Sequence, residues 1–402
     1  MKRFEMMPIY LDHASATPVS SEVLEAMLPY FSERYANPSN VYDISAEIKQ
    51  ALETQRESAA KLIHAKPSEI IFTSSGAEAN NLAIKGTAFA KRNKGQHIIV
   101  SLIEHHSVLN SARFLERLDF EVTFLPVDGN GFIDPERLNK VIRPETILVS
   151  VQHASNEIGT IQPISELSII CKKHSIIFHT DAVATVGNIP VNVHDLGVDL
   201  LSFSGPSLGG PKGTGALFFK KNTRLMPLIH GGIQESGRRA GTENMPGIVG
   251  FGKAAELVAI GLPEKEKHVR KLRDRLITGV LDHIEKVTLT GHPKDRLPGH
   301  ASFCFQGIEG EALIFMIAAS SIYANTGSAC ASKALKTSPV LGAIGIRADL
   351  AQGSIVFTFN QSNTIEQIDY TLNKLEEAVT RLRSFSPIWG KDLPENEEGV
   401  CT

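Results

Sequence analysis

Residues 69–78 read Glu69-Ile70-Ile71-Phe72-Thr73-Ser74-Ser75-Gly76-Ala77-Glu78, a β-branched and aromatic run that ends in small residues. The run 69–73 predicts a strand, Ser74-Ser75-Gly76-Ala77-Glu78 a turn, and the apolar spacing over 77–92 a helix. The same alternation extends both ways. Upstream, 44–63 carries apolar residues at helical spacing. Downstream, strands are predicted at 97–101, 121–126, 146–151, 176–179, 199–203 and 215–219, with helices at 107–118 and 163–174. Short apolar strands separated by helices argue for an α/β fold with a mainly parallel sheet covered on both faces. In such sheets ligands lie at the carboxyl ends of the strands. Those ends carry Ser74-Ser75-Gly76, Glu104-His105, Asn156-Glu157, Asp181 and Ser204-Gly205.

Near residue 245 the pattern changes. A long helical stretch, 246–284, is interrupted at Gly261-Leu262-Pro263. It is followed by strands at 287–289 and 301–305, a helix at 309–319, a strand at 354–359 and a helix at 364–385. Fewer parallel crossovers suggest a smaller α+β domain. The expected division is a large domain over 13–260, a small one from 1–12 with 261–390, and a polar, flexible tail over 391–402.

Composition narrows the function classes. The chain has 402 residues, 42% hydrophobic and 21% charged, with 41 basic against 44 acidic side chains. A net charge of −3 offers no broad field for nucleic acid or an anionic membrane. No uninterrupted apolar stretch is long enough to span a bilayer, and the start lacks the apolar run of a secretory signal. Cys171, Cys304, Cys330 and Cys401 are scattered, without metal-ligand spacing, as expected for reduced thiols in a cytoplasm.

Several residues at the strand ends suit cofactor chemistry. Asp181, in Phe178-His179-Thr180-Asp181-Ala182, follows a strand; a carboxylate there either caps a helix or holds a pyridine nitrogen protonated. The turn at Gly76-Ala77 either caps its helix in the ordinary way or receives a phosphate. His105 either stacks on a flat ring or is structural, and the His105-His106 pair lacks a metal-ligand pattern, so no metal is expected. Cys330, in the small-residue segment Thr326-Gly327-Ser328-Ala329-Cys330-Ala331-Ser332, reads as a loop thiol or as a buried apolar residue.

In order and spacing, these blocks resemble a known family. They are joined by Tyr10-Leu11-Asp12-His13, Asn37-Pro38-Ser39, Ala79-Asn80-Asn81-Leu82-Ala83-Ile84-Lys85-Gly86 and Asn156-Glu157-Ile158-Gly159-Thr160. Gly210-Pro211-Lys212-Gly213, Gly241-Thr242-Glu243-Asn244 and Gly327-Ser328-Ala329-Cys330 complete the set. Over about residues 9–390 the sequence is similar to the group I (NifS/IscS-type) cysteine desulfurases of the class V aminotransferase superfamily. The resemblance implies a fold-type I pyridoxal-phosphate (PLP) homodimer with a mainly parallel, seven-stranded-type sheet in the large domain. It implies phosphate contacts from Gly76, Ala77, Ser204 and, across the dimer, Thr242. His105 would stack on the ring, Asp181 would pair with its nitrogen, Asn156 would lie by ring and substrate, and Cys330 would carry a persulfide.

The chain departs from that family where the chemistry is done. The family's Ser-Gly-His-Lys is Ser204-Gly205-Pro206-Ser207, so the Schiff-base lysine is Ser207 and a phosphate-contacting histidine is Pro206. Ala184 stands in place of a glutamine facing the ring hydroxyl, and Val356 in place of the arginine that clamps the substrate carboxylate. Lys212 belongs to the family pattern and is not a new compensation. The expectation is PLP held without a covalent link and weak or no independent conversion of L-cysteine to L-alanine. The alternatives are a non-catalytic dimeric scaffold, or a carrier of persulfide on Cys330. Implied partners are a second copy, a sulfur-acceptor or iron-sulfur scaffold protein, or an active desulfurase paralogue. The segment 382–389, with Trp389, either docks such a scaffold or caps the small domain.

Overall fold

The computed structural model describes residues 8–327, 338–387 and 389–390. Its strands are β1 (Ile9–Tyr10), β2 (Ile70–Thr73), β3 (His97–Ser101), β4 (Glu121–Leu125), β5 (Thr146–Ser150), β6 (Ile177–Asp181), β7 (Leu200–Ser204), β8 (Gly215–Phe219), β9 (Val287–Leu289), β10 (His300–Phe305), β11 (Ile322–Tyr323) and β12 (Ser354–Thr358). Seven of them form the large sheet, in the order β2-β8-β7-β6-β5-β3-β4. From β7 to β4 every pairing is parallel, and β8 runs antiparallel to both neighbours. Strands β2, β3, β5, β7 and β8 are buried along their whole length, which explains their near-continuous Ile, Val, Leu and Phe. This is the fold-type I architecture, a large sheet domain joined to a smaller domain.

The smaller domain is built on the antiparallel sheet β12-β10-β9. Its core gathers Phe303, Phe305 and Phe357 with Leu272, Leu276 and Leu313. Strand β1 reaches across from the chain start to pair with β11, Ile9 opposite Ile322.

A single helix, Met245–His283, serves both cores. Met245, Ile248, Val249, Phe251, Ala254 and Ala255 lie in the large-domain cluster; Val269, Leu272, Leu276 and Val280 lie in the small-domain cluster. The interruption expected at Gly261-Leu262-Pro263 is absent, because the helix runs through Pro263 without a break. Proline there lacks the N–H that would bond the Ala259 carbonyl, and burial of apolar residues on either side outweighs that loss. The helix is apolar enough by composition to cross a membrane, but half of its most apolar window is buried in the protein, as in a core helix.

Phe251 is fully buried and makes edge contacts with Phe72 and Phe203. Phe251→Ala is expected to lower stability by about 3–5 kcal/mol, the usual cost of a large aromatic deletion, measured by denaturant unfolding.

Candidate active site

The carboxyl ends of the parallel strands meet the small domain around a cavity of about 300 Å³. Gly76, Ala77, His105, Asn156, Asp181 and Ser204 all line it, together with Ala184, Pro206 and Ser207. The remaining expected residues lie elsewhere. Thr242 is exposed and off this cavity, on the loop that precedes the long helix. Val356 is buried in β12 opposite Ser302 and is not on the wall. Lys212 is exposed and also off the wall. Cys330, Cys401 and the tail 391–402 lie outside the described residues.

The turn between β2 and the helix Gly76–Lys91 is drawn tight by side chains. Ser75 Oγ accepts the Glu78 N–H at 3.1 Å, and the Glu78 carboxylate accepts the Ser74 N–H at 2.8 Å and pairs with Arg239 at 3.0 Å. Burial pushes the Glu78 carboxyl up, but the bonds from Arg239 and Ser74 prevail and hold it below its ordinary range. The first N–H groups of the helix, at Gly76 and Ala77, have no intrahelical acceptor, and both residues line the cavity. A Cβ at residue 76 would sit 2.5 Å from Val183 Cγ2, so a larger residue there would require Val183 to shift. Ser204 adds a hydroxyl. The Ser207 hydroxyl turns back to donate to the Ser204 carbonyl at 2.8 Å.

Asp181, at the end of β6, is buried. Its Oδ1 accepts the Val183 N–H at 2.9 Å and its Oδ2 the Asn80 amide at 2.6 Å. Both donors are neutral, and burial raises the carboxyl above its ordinary value despite these bonds and the pull of His105. Asn80 donates as well to Ser107 Oγ at 2.9 Å, and that hydroxyl lies 2.7 Å from His105 Nδ1. A chain of polar contacts thus ties the Asp181 carboxylate to the His105 ring. His105 also caps the helix His106–Glu116, its Nδ1 accepting the Ser107 N–H, and it lines the cavity. Beneath Asp181 lies a second buried carboxyl, Glu104, which burial and then the Asp181 charge push well above its ordinary value. Its Oε1 accepts the Gln152 N–H at 2.5 Å.

These features test the fit of a PLP ring and phosphate. A buried carboxylate with only neutral donors favours a protonated ring nitrogen as its partner. A helix N-terminus beside a serine hydroxyl suits a phosphate. The residues present fit the group at both points; the Ser207 position supplies no amine.

The sequence matches the class-V aminotransferase family over residues 9–371. It is 51% identical over 379 residues to the cysteine desulfurase IscS of Dictyoglomus turgidum, covering 94% of this chain and 96% of that protein. The chain belongs to the cysteine desulfurase family. The IscS of Methanosarcina thermophila is 49% identical over 388 residues, 96% of each chain. Among solved structures, a NifS-like protein superposes with a TM-score of 0.87 at 37% identity, covering 93% of this chain and all of that one. The apo cysteine desulfurase of Thermococcus onnurineus NA1 gives 0.83 at 28%, covering 93% and 95%. The family is PLP-dependent, in keeping with the fit above.

Other parts of the cavity wall carried no separate signal in the sequence. Gln152 and Lys265 line it; Lys265 sits in the run Glu264-Lys265-Glu266-Lys267, which reads as a solvated face. Asn80 and His13 stood only as members of longer motif blocks. Cys171 and Cys304 are buried, and burial pushes each thiol up to about 12, so neither is a ready nucleophile. Trp389 packs against Gly307 and under the Arg383 guanidinium, 3.9 Å from its centroid, as a cap on the small domain would.

Next to Asn156, burial raises the Glu157 carboxyl from 4.5 to about 7, against the bond it accepts from Ser338 Oγ. An acid whose folded pKa is raised binds its proton more tightly in the folded state, so stability falls as pH rises between the two values. Relative to Glu157→Gln, the wild type should therefore lose stability from pH 4.5 to about 7. The expected loss is on the order of 2 kcal/mol, below full linkage because the residue is partly solvated. Denaturant unfolding of both proteins across that range measures it.

Proposed function

We propose that this chain acts in sulfur transfer from L-cysteine, with independent desulfurase activity well below that of a family member that keeps the Schiff-base lysine. In the full reaction the cysteine sulfur passes to the Cys330 thiol, leaving L-alanine and a persulfide. Bound PLP would supply the electron sink for the amino acid's α-carbon. Asp181 would hold the proton on the ring nitrogen, Gly76, Ala77 and Ser204 the phosphate, and His105 one ring face. Asn156 would face ring and substrate. Thr242, exposed on its own subunit, is available to complete the phosphate site of a second copy.

The observation that carries this reading is Ser207. It stands on the wall of the cavity that Gly76, Ala77, His105, Asp181 and Ser204 also line, and its hydroxyl donates to the Ser204 carbonyl. A hydroxyl neither anchors an aldehyde as an amine does nor moves a proton at neutral pH; a positioned proton-transfer group is typically worth about 10²–10⁴-fold. The joint replacement at Ser207, Ala184 and Val356 also supports a second reading, a non-catalytic dimeric scaffold or persulfide carrier serving an acceptor protein or an active paralogue.

Alanine and sulfide production from L-cysteine separates the two. Ser207→Lys, alone and with Val356→Arg, is expected to raise the rate by about 10²-fold or more. A wild type as fast as these variants would overturn the weak-activity reading. A wild type and variants that are all inert, with PLP bound, would favour the scaffold. Persulfide on Cys330 after incubation with an active desulfurase, absent in Cys330→Ala, would identify the carrier.

A further inference from the structure

Lys265 reaches the cavity from the long helix, two residues beyond Pro263. Its Nζ donates to the Gly187 carbonyl at 2.7 Å and to Asn188 Oδ1 at 2.9 Å, both in the turn that follows Asp181. An ammonium has three N–H donors. These two acceptors are neutral, and among the described residues no third acceptor and no carboxylate pairs with it. Burial pushes the amine down to about 8, with no acidic neighbour pulling it back, which still leaves it mostly cationic at neutral pH.

Among the described residues, no opposite charge pairs with this amine. His13 lines the same cavity and is driven down to about 4, first by burial and then by the Lys265 charge itself, so it is neutral. A withdrawn cation without a counter-charge is costly, and removing water by ligand binding would make it more so. The cost is relieved when an anion enters the cavity. The phosphate of PLP is already provided for at Gly76, Ala77 and Ser204. The second anionic group of the reacting pair is the carboxylate of the amino acid, and the residue at the family's arginine position, Val356, is not on the wall.

We infer that Lys265 is the carboxylate-holding group of this cavity, its free N–H and its charge taking the α-carboxylate of an amino-acid substrate. The inference rests on the reading of this cavity as a PLP and amino-acid site, and adds to it which residue receives the substrate. Asn188 fixes the amine from behind, and Asn360, also on the wall, is a further neutral donor within the same cavity.

The test is calorimetric binding of L-alanine, and separately of L-alaninamide, to the PLP-equilibrated full chain and to Lys265→Met and Lys265→Arg. Circular dichroism verifies that each variant is folded. Lys265→Met should weaken L-alanine by roughly 10- to 100-fold, the worth of one charge-assisted hydrogen bond. Alaninamide should be unaffected, and Lys265→Arg should restore most of the alanine affinity. Equal losses for both probes would overturn the inference, as would an unchanged alanine affinity in Lys265→Met or no alanine binding by the wild type. Equilibrium dialysis of PLP keeps the underlying reading separate. A chain that binds PLP normally but shows no dependence on Lys265 loses this inference alone. A Lys265→Met chain that loses PLP rather than alanine assigns the amine to phosphate and overturns the carboxylate role. A wild type that binds no PLP sinks the underlying reading, while the comparison of alanine with alaninamide still decides Lys265.

Discussion

The site is organised by a carboxylate that has been taken out of water without being given a cation. Asp181 ends a buried strand, leans on one backbone N–H and one amide, and has a second buried carboxyl, Glu104, beneath it. Desolvation of this kind favours either a protonated acid or a positively charged partner. The contacts around Asp181 then follow: Asn80 is spent on it, Ser107 is spent on Asn80, and the His105 ring is oriented by Ser107. That chain of contacts shares the cavity wall with Ser207, whose side chain is a hydroxyl.

The residues of the site differ in what the fold asks of them. Three residues of the site also build the fold: a Cβ at Gly76 would press on Val183, Glu78 closes the turn, and His105 caps a helix. Ser207, Ala184 and Val356 are different. Ser207, in a single 3-10 turn, and Ala184, in the turn after Asp181, are wall residues outside the strands, whereas Val356 is packed within β12.

Much of the fold was legible in the residues. Strands β3, β8 and β9 coincide with their apolar runs, and β2, β5, β7, β10 and β12 differ by a residue or so at one end or both. Strands β1 and β11 gave no local signal, since two residues carry no period and Ile9 meets Ile322 only through the tertiary fold. Pro263 misled for the opposite reason: its local penalty is real, and packing on two cores overrides it. The ring and phosphate contacts were legible because their motifs are contiguous. Lys265 was not, because a lysine within Glu264-Lys265-Glu266-Lys267 looks solvated until Gly187 and Asn188 are brought beneath it.

The continuous helix has a mechanical consequence. Two bodies joined by a loose strap can swing freely, but these two share one rod whose ends are embedded in different cores. Any widening of the cleft must flex that rod, and its softest point is where the proline leaves a rung out of the ladder. Lys265 lies about half a turn from that weak rung, and its bonds to Gly187 and Asn188 tie the rod to the large domain beside it.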